Sequence, residues 1–259
     1  MADRFNPSDV ERFYDDFLDR RMVDYRVAGN LRIEMASQFL TQHVDETSRV
    51  LDIGCGIGIV TERLAQRAKC GTTLGVDLSA RNVWYARRTT RAPNLHFLAA
   101  NVLDSRQLDV LADRGPYDLI TLVDVIEHIP TPEVPSLIAR LAGFLAPRGT
   151  IGLTFPHPVY QAYLRASAPE ELQPVDEDVT AAVLESAAAS CGLSLLSWQA
   201  KTVWRSEQYV HALLGSATLS MPAGDARGVR SRASRAWSRR VLQPLRRWYY
   251  VDRVFKDEP

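Results

Sequence analysis

The sequence predicts an α/β fold: a seven-stranded, mostly parallel sheet with helices on both faces, an N-terminal helical cap and a C-terminal amphipathic helix. Three observations predict it. Short apolar runs alternate with stretches of helical period between residues 49 and 158. The first run ends in glycines at 54, 56 and 58. The second ends in an acid, Asp77, about 20 residues further on. Strands separated by helices are joined by crossovers, and crossovers leave strands parallel.

Each element has its own signal. VERFYDDFLDRRM and NLRIEMASQFLTQHV, within residues 9–43, carry apolar residues at three- and four-residue steps and read as helices. RVLDIGCG is a buried strand running into a tight turn, and IVTERLAQRAKC the helix behind it. TTLGVDLS and RNVWYARRTT repeat the pair, NLHFLAANVLD is a third strand, and YDLITLVDVI a fourth. PSLIARLAGFLAPRG reads as a helix closed by Pro147 and Gly149, followed by GTIGLTFPHP as a fifth strand. VYQAYLRASAPEELQPVDED is then a polar, helix-prone insertion, DVTAAVLESAAASCG a helix ended by Gly192, and LSLLSWQA with SEQYVHALLGS a closing strand pair. The expected organisation is a helical cap over 1–45, one domain over 46–216 with an insertion near 156–178, and a basic tail over 217–259.

Composition narrows the function classes. The chain has 259 residues, 46% of them apolar, and 31 basic against 31 acidic residues. That is an ordinary globular composition without a global field toward nucleic acid or membrane. Cys55, Cys70 and Cys191 are odd in number and form no CxxC pair, which excludes a disulfide framework and fits a reducing cytoplasm. The stretch MADRFNPSDVERFYDD is polar and acidic, unlike a secretion leader, and no run of about 18 apolar residues exists to span a membrane.

The glycine loop is the first candidate site. Between a strand and a helix, LDIGCGIGIV must turn tightly and let a ligand approach its backbone, with free N–H groups at the following helix start. A carboxylate at the end of the second strand suits a pair of ribose hydroxyls. The spacing is GxGxG, with Ile59 where a dinucleotide fingerprint places its third glycine.

The second is TLVDVIEHIP. Asp124, Glu127 and His128 stand at i, i+3 and i+4, so the first turn of a helix would point all three to one face. They follow the fourth strand's end, where an open parallel sheet meets its ligands, and His157 follows the neighbouring fifth strand. Three readings stay open: Asp124, Glu127, His128 and His157 hold a divalent cation; His128 or His157 is a general base; or the cluster caps and packs.

LDIGCGIG, GVDLS, ANVLD and YDLITLVDVIEHIP, in this order and spacing, resemble the class I S-adenosylmethionine-dependent methyltransferases over residues 28–157. Asn30–Leu31–Arg32 and the Glu127–His128 pair are most similar to the ubiquinone-type O-methyltransferases. The resemblance implies a Rossmann-like domain that binds S-adenosylmethionine. Gly54, Cys55 and Gly56 would line the methionine part, Asp77 the ribose, Leu78 one side of the adenine, and Asn101 with Val102 the other. Val123 would approach from the fourth strand, and Arg32 would take the cofactor carboxylate through two parallel N–H bonds. Some relatives bind a metal, Mg²⁺ or Mn²⁺, through ExxEH, where this chain has DxxEH. Such a metal would bind the acceptor oxygen and lower its pKa.

The acceptor side falls to the N-terminal helices and the insertion, with Tyr14, Tyr25, Tyr160 and Tyr163 as lining candidates. The expected acceptor is the hydroxyl of a small molecule of sugar, glycan or secondary-metabolite type, with N-methylation or a catalytically silent subunit as alternatives. A nicotinamide dehydrogenase is disfavoured by the glycine spacing and by the lack of a hydride-transfer pair. The tail RGVRSRASRAWSRRVLQPLRRWYYVDRVFK has ten basic residues and one acid. Its apolar positions fall near helical period, which suits docking on the domain, a homodimer contact or an anionic membrane surface, with nucleic acid not expected.

Overall fold

A computed structural model describes residues 23–172, 175–217, 246–252 and 255. Two helices come first, α1 (Val23–Ala28) and α2 (Leu31–Thr41), and then the alternation the sequence predicts: β1 (Arg49–Ile53), α3 (Ile59–Arg67), β2 (Thr72–Asp77), α4 (Ala80–Thr89), β3 (Leu95–Ala99), α5 (Ser105–Ala112), β4 (Tyr117–Val123), α6 (Val134–Ala142) and β5 (Leu145–Pro156). The chain continues through α7 (Pro158–Ser167), α8 (Ala181–Ala189), β6 (Ser194–Lys201) and β7 (Tyr209–Gly215). The strands form one seven-stranded sheet in the order β3-β2-β1-β4-β5-β7-β6. Only β7 runs against its neighbours, pairing antiparallel with β5 on one side and β6 on the other. The expected closing strand pair is therefore present.

Period-two alternation in the strands builds a core on each face. Leu51, Ile53, Ile120, Leu122, Ala212 and Leu214 point to the side covered by α5, α6 and α8. Val50, Leu119 and Leu213 point to the side where Phe39 and Leu40 of α2 meet Val60 and Leu64 of α3. Helix α2 lies close to the sheet because Gly152 lacks a side chain, since a Cβ there would stand 2.5 Å from Leu40 Cδ2.

Three elements differ from the sequence reading. Helix α5 was not expected. It starts at Asp104, whose carboxylate accepts the Arg106 N–H at 2.9 Å, and buries only Leu108 and Leu111. Helix α6 stops at Ala142 rather than running to Gly149, and residues 145–149 extend β5 instead. A Cβ on Gly149 would sit 2.6 Å from the Tyr117 carbonyl, so the strand passes β4 too closely for a side chain. The stretch after β4 is no α-helix: Asp124 has φ 54°, and Ile126–His128 is a single 3₁₀ turn.

Most of the basic tail, and Tyr14 of the cap, lie outside the described residues. The described part of the tail includes a π-helical turn, Trp248–Asp252, and it docks. Val251 and Phe255 pack with Val27 of α1, Ile57 of the glycine loop and Tyr85 of α4. The Tyr85 hydroxyl donates to the Tyr250 carbonyl at 2.6 Å. Among the described residues no helix is long and apolar enough to cross a membrane.

Candidate active site

The glycine loop is shaped by what surrounds it. Gly54 has φ +68°, and a Cβ there would lie 2.2 Å from Val125 Cγ2. Two carboxylates anchor the loop and the elements that flank it. Asp77 Oδ2 accepts the Gly56 N–H at 2.7 Å, and its Oδ1 accepts from Ser79 N at 2.9 Å and Asn82 Nδ2 at 3.1 Å. Asp52 accepts Thr121 and Thr61 hydroxyls, both at 2.6 Å, and burial raises it to about 6. Arg26 adds a clamp, donating to the Ile57 carbonyl at 2.7 Å and pairing with Glu62 at 3.0 Å. Its guanidinium also lies 5.0 Å over the Tyr250 ring, so the docked tail reaches the loop through it.

One cleft opens at the carboxyl ends of β1, β2 and β4. Arg32, Gly54, Cys55, Gly56, Asp77, Leu78, Asn101, Val102 and Val123 all line it. The structure thus brings together every residue expected at the cofactor. Tyr25, Asp124 and His128 line the same cleft, and Glu127 and His157 do not. Tyr160 and Tyr163 stack on each other at 6.1 Å, and Tyr160 leans on Tyr209 at 6.4 Å. Asn101 Oδ1 accepts the Leu103 N–H at 2.9 Å and fixes the turn after β3.

Arg32 is placed by the cap of α2, where the Asn30 side chain accepts the N–H groups of Arg32 and Ile33 at 3.0 and 3.4 Å. Its guanidinium forms an ion pair with Asp124 Oδ2 and donates to the Tyr209 hydroxyl at 3.2 Å. Burial lowers the Arg32 pKa, but Asp124, Tyr209, Tyr25 and Glu127 together outweigh it and the net shift is upward. Burial raises Asp124 against the opposing pull of Arg32. Arg32 Nε and Asp124 Oδ1 are both buried without a hydrogen-bond partner. Asp124 itself sits in the left-handed region, a conformation that Asp tolerates better than most residues and that clusters at functional sites.

His128 is held from the 175–178 segment. Its Nδ1 is 2.7 Å from the Val175 carbonyl and 3.2 Å from Asp176 Oδ1. A carbonyl only accepts, so Nδ1 carries a proton. Nε2 stands 3.8 Å from Glu127 Oε1. Burial lowers His128, but the Glu127 and Asp176 carboxylates raise it to about 9. Glu127, 1% exposed, is pushed up to about 8 by burial.

The divalent-cation reading is corrected here. Asp124 is paired through Oδ2 with a guanidinium, so a divalent metal there would crowd a second, doubly charged cation against Arg32. His157 serves as the cap of α7, its Nδ1 accepting the Val159 N–H at 3.2 Å, and its ring lies 6.3 Å from Trp198. Among the described residues no three His, Cys, Asp or Glu side chains are grouped to hold a metal ion. The donor set does not fit Mg²⁺ or Mn²⁺.

Sequence reasoning missed Tyr209, Asp176 and Asp52. Tyr209 and Asp176 reach the site from far along the chain. Asp52 carried a local signal, as a buried acid two residues before the first glycine.

The comparisons agree with this geometry. Residues 50–149 match the family model described as "Methyltransferase domain". The ubiquinone biosynthesis O-methyltransferase of Ralstonia nicotianae is 33% identical over 123 residues, 46% of this chain and 47% of that protein. That of Hydrogenovibrio crunogenus is 33% identical over 140 residues, 52% of this chain and 53% of that protein. The chain spans about half the length of the curated relatives it matches. Among solved structures, magnesium protoporphyrin IX methyltransferase from Synechocystis PCC 6803, with bound SAH, superposes with TM-score 0.63 at 18% identity, covering 82% of this chain and 100% of that one. A SAM-dependent methyltransferase from Anabaena variabilis gives 0.63 at 16% identity, covering 82% and 96%. The match to the methyltransferase-domain model spans residues 50–149, and the fold around them is that of these solved structures.

Proposed function

We propose that this chain, built around a class I methyltransferase domain, is an S-adenosylmethionine-dependent methyltransferase acting on the hydroxyl of a small molecule. One observation carries the reading: the glycine loop, its Asp77 anchor, Arg32 and His128 face a single cleft. The residues fit the cofactor. Asp77 places a carboxylate in the cleft at the end of β2, a group that suits ribose hydroxyls, and Arg32 Nε is a buried donor without a partner. When bound, S-adenosylmethionine supplies an electrophilic methyl group.

The chain's own residues then do three things. The loop, with Asp77, Leu78, Asn101 and Val102, positions the nucleoside, and positioning supplies much of the rate in such transfers. His128 takes the acceptor proton at Nε2, since Nδ1 is already committed to Val175 and Asp176. Tyr25, with α7 and the 175–178 segment, forms the acceptor side. The acceptor class proposed is a sugar, glycan or secondary metabolite, and an amine acceptor is the second reading.

Calorimetry with S-adenosylhomocysteine and with a nicotinamide dinucleotide tests the first step. The expected outcome is binding of the former alone, lost in Asp77→Ala. Binding of the dinucleotide alone overturns the reading.

A further inference from the structure

Arg32 and Asp124 make a largely buried ion pair at the wall of the cleft, with side chains 16% and 15% exposed. The pair is incomplete on both sides. Arg32 Nε has a proton to give and Asp124 Oδ1 has lone pairs to offer, both shielded from water and neither with a hydrogen-bond partner. Asp124 holds its place at φ 54°, with its own N–H donating to the Thr154 carbonyl at 2.8 Å. The carboxylate is therefore fixed beside the cleft by backbone rather than by choice of rotamer alone. Gly54 and Val123 line the same cleft.

We propose that this ion pair stands in for an α-amino acid group, and that Asp124 is the residue that binds the ammonium of the cofactor's amino-acid end. The inference rests on the reading of the cleft as an S-adenosylmethionine site. A buried pair resists opening, because each charge left alone loses its nearest counter-charge. A zwitterion is the small group that meets both at once, its carboxylate at the guanidinium and its ammonium at Asp124. The orphaned Nε and Oδ1 then gain the partners they lack. A dinucleotide would bring anionic phosphate to the glycine loop, next to the Asp124 carboxylate, and would leave the pair unmatched. Asp124 thus selects for an amino-acid end, beyond what the glycine loop and Asp77 demand of the nucleoside.

The test compares three ligands by calorimetry, with no turnover needed: S-adenosylhomocysteine, its analogue lacking the amino group, and 5′-methylthioadenosine, which lacks the whole amino-acid end. The wild-type protein and Asp124→Asn are used. The expected result is that Asp124→Asn weakens S-adenosylhomocysteine at least tenfold and leaves the deaminated analogue and 5′-methylthioadenosine within twofold. Unchanged or tighter S-adenosylhomocysteine binding in Asp124→Asn overturns the inference, and assigns Asp124 to holding Arg32 or to the acceptor. An equal loss for all three ligands overturns it as well. If the variant does not fold, the wild type decides alone: the deaminated analogue must bind at least tenfold more weakly than S-adenosylhomocysteine, and equal affinity overturns the inference. Failure of the wild type to bind any of the three sinks the cofactor reading itself, a result distinct from these.

Discussion

Gly54 and Val125 leave no room for a methyl group between them: a Cβ on Gly54 would stand 2.2 Å from Val125 Cγ2. Gly54→Ala must therefore move either the loop or the segment after β4. We expect it to lower S-adenosylhomocysteine affinity by tenfold or more. Adding Val125→Ala removes the clash and restores part of the affinity. The remainder reflects the left-handed backbone, which costs a residue with a side chain about 1–2 kcal/mol.

Asp77→Asn keeps shape and removes acceptors. Gly56 N, Ser79 N and Asn82 Nδ2 all give hydrogen bonds to the two carboxylate oxygens, and an amide presents an NH₂ group to at least one of them. A buried donor left without a partner costs about 1–3 kcal/mol. Calorimetry is expected to show cofactor-product affinity falling by roughly 100-fold, equivalent to about 2.7 kcal/mol.

His128 sets a pH profile. Its imidazole is raised to about 9, so it is protonated at neutral pH and becomes an open base as pH rises through that value. With the methyl acceptor in hand, kcat/KM should climb with pH and level off near 9, and His128→Gln should flatten the climb. Stability runs the opposite way. A folded-state value above the ordinary 6.5 stabilises the fold fully below pH 6.5, and the contribution fades as pH rises through about 9.

His211 predicts an acid weakness with the reverse sign. It is buried on β7 against Phe39, ring centroids 4.9 Å apart, and burial lowers it to about 4. The unfolded chain takes up a proton near pH 6.5 that the folded chain refuses until about pH 4, so stability falls between those values as pH drops. His211→Phe should recover about 2 kcal/mol at pH 5, read as a smaller loss of melting temperature between pH 7 and pH 5.

Tyr85→Phe deletes the 2.6 Å bond to the Tyr250 carbonyl and keeps the ring packed on Phe255, 5.4 Å away. Denaturant unfolding should show a loss of about 1 kcal/mol. Hydrogen exchange should show faster opening at residues 249–252, with the amides of β1 and β4 unaffected.

Sequence legibility followed the range of the interactions. The sheet, the glycine loop and Asp77 were readable because strand alternation, turn glycines and a terminal acid are local patterns. The residues expected at the cofactor were therefore placed together without knowledge of any contact. Helix α5 was not readable, because two buried leucines in eight residues give too short a period to separate from a strand end. The expected helical geometry at Asp124 is absent, and of the four residues expected there only Asp124 and His128 line the cleft. The partners at this site arrive from elsewhere: Tyr209 lies 177 residues from Arg32, and Val175 lies 47 from His128. The left-handed Asp124 that turns the chain out of its expected helix has no signature in DVIEH.

The packing of Val251 and Phe255 against Val27, Ile57 and Tyr85 makes the cleft a product of the whole chain. The seven strands are complete by Gly215. The brace on the glycine loop is finished only when residues near 250 arrive to close over Arg26. A growing polypeptide can thus assemble its sheet well before its binding loop is secured. Such distant contacts form slowly, because their loop-closure entropy falls due before the contact rewards it. A chain cut short after β7 would keep the Arg26 bonds to Ile57 and Glu62 and lose the Tyr250 ring over that guanidinium and the Val251 and Phe255 packing on Ile57.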